Sequence, residues 1–252
     1  ETLVVTADLA NVDTGSSGTS TNLDVAYLEN LPTGRFQPDV LNYAPGINQS
    51  VAFGSSEAGN AFQIDGVDTS DPEGGTPWSF VNYNIVEEVQ LVGLGAPAEY
   101  GSFSGVIFNS ITRSGGNDLS GMLDLIYTGD SLSDEFSGTE FEGLNPRTEK
   151  ELDVTAQIGG PILRDRLWYF LSAQSYELES TNGGPIRAEE SPRAFGKLTW
   201  QANSSNNVEL WVEWDRYDII GRGGDTVTPL EATVTEDAPE YVWNFAWRSM
   251  LS

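Results

Sequence analysis

The feature that most limits what this chain can become is a two-residue alternation of apolar and polar side chains, repeated through its second half. In Leu119 to Thr128, one phase holds Leu119, Gly121, Leu123, Leu125 and Tyr127, and the other Ser120, Met122, Asp124, Ile126 and Thr128. In Glu151 to Gly160, Leu152, Val154, Ala156 and Ile158 alternate with Glu151, Asp153, Thr155 and Gln157. In Val208 to Asp215, Val208, Leu210, Val212 and Trp214 alternate with Glu209, Trp211, Glu213 and Asp215. Successive side chains of a strand leave opposite faces, so such segments need one apolar and one wet environment. A soluble sandwich supplies these with a core and water. A membrane barrel supplies them with lipid outside and a polar lumen inside. Leu167 to Glu177, Ala194 to Ala202 and Tyr241 to Leu251 complete a set of six candidate strands.

The connections favour the barrel. Asn203-Ser204-Ser205-Asn206-Asn207 reads as a compact hairpin turn, whereas Gly129 to Lys150, Leu178 to Pro192 and Ile219 to Glu240 read as long connections. Short turns on one rim and long loops on the other are the pattern of outer-membrane barrels, and a sandwich usually has shorter connections. Trp200, Trp214, Trp243 and Trp247 fall in the apolar phase, where the aromatic girdles of such barrels lie. Core tryptophans of a soluble fold are the plainer alternative. Glu151, Asp153, Glu209, Glu213 and Asp215 fall on the lumen phase and read as a hydrated inner wall. No window approaches about 18 consecutive apolar residues, which excludes a membrane-spanning helix and leaves a barrel open.

Before Asn117 the composition differs: Gly, Ser, Asn and Asp are dense and apolar runs are short. This half reads as a small α+β domain. Thr2 to Thr6, Phe62 to Asp65, Ile85 to Val92 and Val106 to Thr112 are strand candidates, and Asn11 to Asn22 a loop. Asp24 to Leu31 and Phe36 to Tyr43 are short helix candidates, stopped by Pro32 and before Pro45.

Charge and two absences narrow the chemistry. The 252 residues hold 12 Lys plus Arg against 38 Asp plus Glu, a net charge of −26. That argues against nucleic acid and against a polybasic contact with anionic lipid. Aromatic residues at 11% argue against disorder. There is no Cys and no His, which removes thiol nucleophiles, Ser-His triads and most zinc sites.

Several stretches together resemble the TonB-dependent receptors of the bacterial outer membrane. Glu1-Thr2-Leu3-Val4-Val5-Thr6-Ala7 resembles the TonB box, although similar residues form the first plug strand in some members. Asn30-Leu31-Pro32-Thr33-Gly34-Arg35 resembles the plug's LP-x-x-R stretch, and Ala44-Pro45-Gly46-Ile47 its PGV. Phe62-Gln63-Ile64-Asp65-Gly66-Val67 matches a strand and turn of the plug, and Val86-Glu87-Glu88-Val89-Gln90-Leu91 another strand. Pro97-Ala98-Glu99-Tyr100-Gly101, then Gly105-Val106-Ile107-Phe108-Asn109, and Ile111-Thr112-Arg113-Ser114-Gly115-Gly116-Asn117 resemble the approach to the plug's exit and the exit itself. Each motif alone is weak; their order and spacing make the set specific. Gly159 to Phe170 extends the likeness, which is greatest to the Oar-like branch.

The resemblance implies an α+β plug domain over 1–117, followed by antiparallel transmembrane β-barrel strands over 118–252. Family barrels have about 22 strands, and six cannot enclose a folded plug. This chain is therefore expected to be a fragment, or the ordered part of a longer protein.

The implied activity is transport, not catalysis: an extracellular ligand binds and is imported with energy relayed by TonB and its inner-membrane complex. TonB is expected to take Glu1 to Ala7 by adding a strand to its own sheet edge. Other expected partners are outer-membrane lipid, a peptide, saccharide or other small ligand, and a surface lipoprotein. The alternative is a β-rich surface adhesin or carbohydrate-binding protein without transport. Trp78, Phe80, Tyr83 and Asn84 are ligand-binding candidates, with plug packing as the plainer reading.

Asp65, Asp68, Asp71 and Glu73 form an acidic cluster beside Gly74-Gly75 that offers some of the six to eight oxygens calcium needs. A solvated loop is the plainer reading, and no other cofactor is expected. Arg35 and Arg113 are the only cations before Asp118 and are expected to pair with carboxylates, Glu87, Glu88 and Glu99 among them. Those glutamates are the one set that a glycosidase reading could use.

Overall fold

The computed structural model describes residues 18–31, 37–48, 50–71, 76–79, 81–96, 101, 103–129, 132 and 147–250. Glu1 to Ala7, Arg35, Glu73, Phe80 and Glu99 lie outside the described residues. The chain divides into two compact units. One is Glu1–Pro77 with Glu88–Ile111; the other is Trp78–Glu87 with Thr112–Ser252.

In the first unit the elements are short: β1 (Ser20–Asp24), α1 (Val25–Leu28), β2 (Ile47–Asn48), β3 (Val51–Ala52), β4 (Ala61–Ile64), β5 (Val67–Asp68), β6 (Val86–Val92) and β7 (Ile107–Thr112). Five strands form one sheet in the order β1-β6-β7-β4-β5, with β4 parallel to β7 and the β1–β6 and β4–β5 pairs antiparallel. Val89, Leu91, Phe62 and Phe108 are buried, and the rings of Phe62 and Phe108 pack 5.7 Å apart.

Asp65 (φ +48°) and Gly66 (φ +82°) make the two-residue turn between β4 and β5. Positive φ at both positions is what a hairpin with right-twisted strands requires, and it explains the Asp-Gly pair. The Gly66 N–H then donates to Asn109 Oδ1 at 2.9 Å, tying the turn to β7.

Three local expectations change. Ser20 to Asn22, read as loop, is the start of β1, whose pairing with β6 runs from Ser20↔Val92 to Asp24↔Glu88. Asn is a poor strand former and the Ser/Thr/Gly-rich run reads as loop, but tertiary pairing overrides that local preference. The helix expected over Asp24 to Leu31 is the single turn α1, capped by Asp24, whose side chain accepts from the Tyr27 N–H at 2.9 Å. Only Leu28 in that helix is buried, so no apolar stripe supports further turns. Gln37–Tyr43 is 3₁₀ and delivers Val40 and Leu41, both 0% exposed, to the core.

The second unit is built on an antiparallel sheet of six strands: β8 (Ser120–Gly129), β9 (Arg147–Leu163), β10 (Leu167–Thr181), β11 (Arg187–Asn203), β12 (Asn206–Arg222) and β13 (Val234–Ser249), each paired with its neighbours in sequence. The described strands form an open sheet. Short turns at 164–166 and 204–205 alternate with connections at 130–146, 182–186 and 223–233.

Most strands run well past the nine to eleven residues that cross a bilayer. As a result, Leu178 to Pro192 is mostly ladder and not the long loop expected from its composition, with register continuing to Ser180↔Arg187. Ion pairs line the extension: Lys150 with Glu177 at 2.6 Å, Arg187 with Glu189 at 2.6 Å, Arg216 with Asp237 at 2.8 Å, and Arg222 with Glu236.

The two faces of this sheet are inverted relative to a soluble protein. Leu123, Leu125, Tyr127, Ile158, Leu171, Leu198, Leu210, Val212, Tyr241, Trp243, Phe245 and Trp247 are exposed. Asp153, Thr155, Gln157, Ser172, Gln174, Lys197, Glu213 and Asp215 are buried. Pairing carries each set straight across: Val208↔Trp247, Leu210↔Phe245, Val212↔Trp243 and Trp214↔Tyr241 on the apolar face. Leu152, Val154 and Trp214 share that face and are half-buried.

Candidate functional site: a strap across the polar wall

The polar face carries rows of side chains set by register. One row reads Asp124, Thr155, Gln174, Arg193, Asp215 and Glu240 from β8 to β13. The next reads Met122, Gln157, Ser172, Phe195, Glu213 and Val242. Buried polar groups must find partners, and here many do so within the wall. Gln174 Nε2 donates to Asp153 Oδ1 at 2.9 Å, Arg193 donates to Gln174 Oε1 at 3.1 Å and to Ser191 Oγ at 3.0 Å, and its guanidinium stands 5.6 Å from the Tyr176 ring.

Trp78–Glu87, the segment that clusters with the barrel-like sheet, lies along this face as a strap. Ser79 Oγ donates to Glu213 Oε2 on β12 at 3.0 Å. Asn82 Nδ2 donates to Thr155 Oγ1 on β9 at 3.1 Å. Asn84 Nδ2 donates to Asp124 Oδ2 on β8 at 3.2 Å. The Asn82 side chain also accepts from the Asn84 N–H at 2.8 Å, which shapes the tight turn between these contacts. Val81 and Ile85, at 6% and 0% exposure, are the apolar positions among these amides.

A second contact holds the return segment. Lys197, buried on β11, donates through Nζ to Thr112 Oγ1 at 3.0 Å and lies 3.6 Å from Glu209 Oε2. The Arg113 N–H donates to Ile85 O at 2.8 Å, joining the strap to that segment. Gly115 then passes the wall so closely that a Cβ would lie 2.2 Å from Tyr169 O. Asn117 closes the run: its side chain donates to Asp165 Oδ1 at 2.6 Å and accepts from Trp168 Nε1 at 2.8 Å.

The residues singled out in the sequence fall as follows. Asn84 is committed to Asp124, and Tyr83 is half-buried beside it in a 3₁₀ turn. Trp78 is 53% exposed, so an indole face is available at the strap's start. Glu87 and Glu88 are consecutive on β6 and leave opposite faces, so they do not converge as a catalytic pair. The Glu88 carboxylate accepts from Gln90 Nε2 at 3.1 Å. Arg113 is half-buried.

Asp65 is a turn residue, and Asp68 accepts from the Ser70 N–H at 3.0 Å. Among the described residues, no group of three or more acidic side chains is gathered as a metal site.

Ser79, Asn82, Thr155 and Lys197 were not singled out as site residues. For Lys197 a signal existed: it is a lysine on the lumen phase of an otherwise apolar-aromatic strand, Ala194-Phe195-Gly196-Lys197-Leu198-Thr199-Trp200.

No protein-family profile matches the chain. The TonB-dependent transporter Oar of Myxococcus xanthus is 29% identical over 177 residues, which is 63% of this chain and 17% of Oar. Among solved structures, a variant of the ferric enterobactin receptor PfeA of Pseudomonas aeruginosa, in complex with enterobactin, matches 94% of this chain with a TM-score of 0.70 at 13% identity. The siderophore receptor PirA of Acinetobacter baumannii matches 92% with a TM-score of 0.67 at 18% identity. The outer membrane transporter YddB of Escherichia coli matches 92% with a TM-score of 0.69 at 14% identity. The chain spans 39% of the PfeA chain and 37% of the PirA and YddB chains. It is similar in sequence and in fold to TonB-dependent receptors, β-barrel proteins of the bacterial outer membrane.

Proposed function

We propose that this chain is the plug-bearing part of an outer-membrane transporter that binds an extracellular ligand and imports it with energy relayed by TonB. One observation carries the reading: a sheet exposes its apolar face and buries its polar face, and the strap Trp78–Glu87 is hydrogen-bonded to that polar face. A soluble adhesin would bury the opposite face, because apolar surface avoids water and not lipid. Of the glutamates that a glycosidase reading could use, the two described, Glu87 and Glu88, leave opposite faces of β6.

The buried wall is rich in carboxylates, with Asp153, Glu189, Glu213 and Asp215 against Lys197. Like charge opposes the entry of anions, so the wall favours a cationic or neutral ligand such as a peptide or saccharide. Trp78 supports this reading as an exposed aromatic face near that wall.

Glu1 to Ala7 would be the segment that TonB takes into its sheet. The test uses the full-length protein and the purified periplasmic domain of TonB. Val5→Pro removes a ladder donor and fixes φ, so TonB capture should be lost while the protein still assembles in the outer membrane. Unchanged capture would refute the coupling role. Failure to assemble would instead assign these residues to the first plug strand.

A further inference from the structure

Phe53, which follows β3, holds a backbone conformation that a bulky side chain rarely accepts. Its φ is +51°, and that of Gly54 is +80°. The Ser55 N–H donates to Ala52 O at 2.9 Å and closes a four-residue turn over the two. Positive φ at both central positions is the pattern that Asn-Gly fills with little strain. A phenylalanine there is strained, so its side chain must gain what the backbone loses.

The ring is wedged edgewise between two glycines. A Cβ at Gly46 would stand 2.5 Å from its Cε1, and one at Gly93 would overlap its Cε2. Gly46 precedes the β2–β3 hairpin, and its carbonyl accepts from the Phe53 N–H at 2.9 Å, one step beyond the pair Ile47↔Ala52. Gly93 follows β6 and meets Thr19, just ahead of β1. The Thr19 N–H donates to Leu94 O at 2.7 Å, and the Gly93 N–H to Thr19 O at 2.8 Å. The ring therefore joins the hairpin to the end of the β1–β6 ladder at which β1 begins.

Thr19 and the ring close over the same glycine: a Cβ at Gly93 would lie 2.8 Å from Thr19 Oγ1 and 2.8 Å from Phe53 Cζ. While Thr19 is paired, Gly93 is fixed and gives the ring its second wall. Once Thr19 leaves, Gly93 can move and the ring loses that wall. The left-handed φ of Phe53 then has nothing to offset it, and the turn relaxes.

We propose that Phe53 is a strained latch: it keeps the β2–β3 hairpin docked only while the start of β1 is paired with β6, so that withdrawal of β1 releases the hairpin. The inference rests on the reading that TonB pulls on Glu1 to Ala7, because tension on that segment reaches Thr19 at the head of the ladder. The latch turns the loss of the backbone bonds at Thr19 into the opening of a second element. Its test needs no TonB, so failure of the latch leaves the transport reading intact, and failed capture of Glu1 to Ala7 leaves the latch.

The test is amide hydrogen exchange in the full-length protein in detergent micelles. Thr19→Pro removes the donor to Leu94 and loosens the head of β1. Exchange at the Phe53 and Ser55 amides should then rise about tenfold, together with that at Gly93. Phe53→Asn accepts positive φ without needing a ring, so in that background Ser55 should stay protected with or without Thr19→Pro. Unchanged Ser55 exchange in Thr19→Pro alone would overturn the latch, as would the same rise in the double variant. If Thr19→Pro does not assemble, exchange in dilute denaturant decides: Gly93 and Ser55 should open together in the parent and separately in Phe53→Asn. Separate opening in the parent, or joint opening in Phe53→Asn, would also overturn the proposal.

Discussion

The two sheets of this protein solve the same problem in opposite directions. In the five-stranded sheet, Phe62 and Phe108 are 5% and 1% exposed, and polar Asp24 and Asp68 lie outside. In the six-stranded sheet, Phe245 and Trp243 are 59% and 69% exposed, while Glu213 and Asp215 are sealed in. The hydrophobic effect acts in both, because it removes apolar surface from water and is indifferent to whether protein or lipid receives it. What differs is the solvent on the outside. It follows that a substitution should be judged by the face it occupies and not by the residue type it replaces.

The comparison can be broken most sharply in the conventional sheet. Phe108→Ala should destabilise the first unit by about 3–5 kcal/mol, through lost burial and a residual cavity. Equilibrium urea unfolding of the full-length protein in lipid vesicles measures it, and a loss below the cost of a surface substitution would mean that the site collapses freely.

On the inverted sheet, Val212→Arg puts a charge on the exposed apolar face. It should cost about 2–4 kcal/mol in lipid, and the same change at Leu210 should behave alike. Full tolerance of both, read by insertion into vesicles, would mean that this face does not meet hydrocarbon.

Gly115→Ala tests close approach. With a Cβ only 2.2 Å from the Tyr169 carbonyl oxygen, one of the two backbones must shift, at about 1–3 kcal/mol. Thermal unfolding should register this, and Gly116→Ala, with open space around its Cβ, is the matched control.

Thr155→Val keeps the shape of the wall and removes the hydroxyl that accepts from Asn82. It should cost about 1–2 kcal/mol and increase hydrogen exchange in the strap before it affects the strands.

The smallest effect lies in the loop at 223–233. The hydroxyl and N–H of Thr228 and the N–H of Val227 hold the Asp225 carboxyl below its usual range. A depressed carboxyl stabilises above its unfolded pKa, and that contribution is lost as pH falls through the folded value. Amide protection at Val227 and Thr228 should therefore fall on acidification. Asp225→Asn should flatten that response with no change in global stability.

The alternation at Leu123, Leu125 and Tyr127, and again at Leu210 and Val212, was legible because strand geometry forces neighbours to opposite faces. The Asp65-Gly66 turn was legible because few residue pairs accept positive φ twice. The strap was only half legible. Trp78, Tyr83 and Asn84 stood out as candidates for ligand contact, but nothing local distinguishes an amide turned to a ligand from one turned to Asp124. The lengths of β11 and β12 were hidden as well. Arg187 to Arg193 and Arg216 to Arg222 are charged, and charge reads as loop until the cross-strand ion pairs are seen.

The sequence by itself therefore determined the local alternatives: which segments alternate as strands, which phase of each is apolar, and where the tight turns at 65–66 and 204–205 fall. Those follow from φ/ψ preferences and from the two-residue period, which act over a few residues. Only the tertiary structure decided that the polar phase is the buried one, that Ser79 lies between Glu213 and Asp215, and that Lys197 reaches Thr112. Those pairs are separated by 134, 136 and 85 positions. Their contacts exist because sheet register and strap path bring distant residues together, and no local preference encodes that distance.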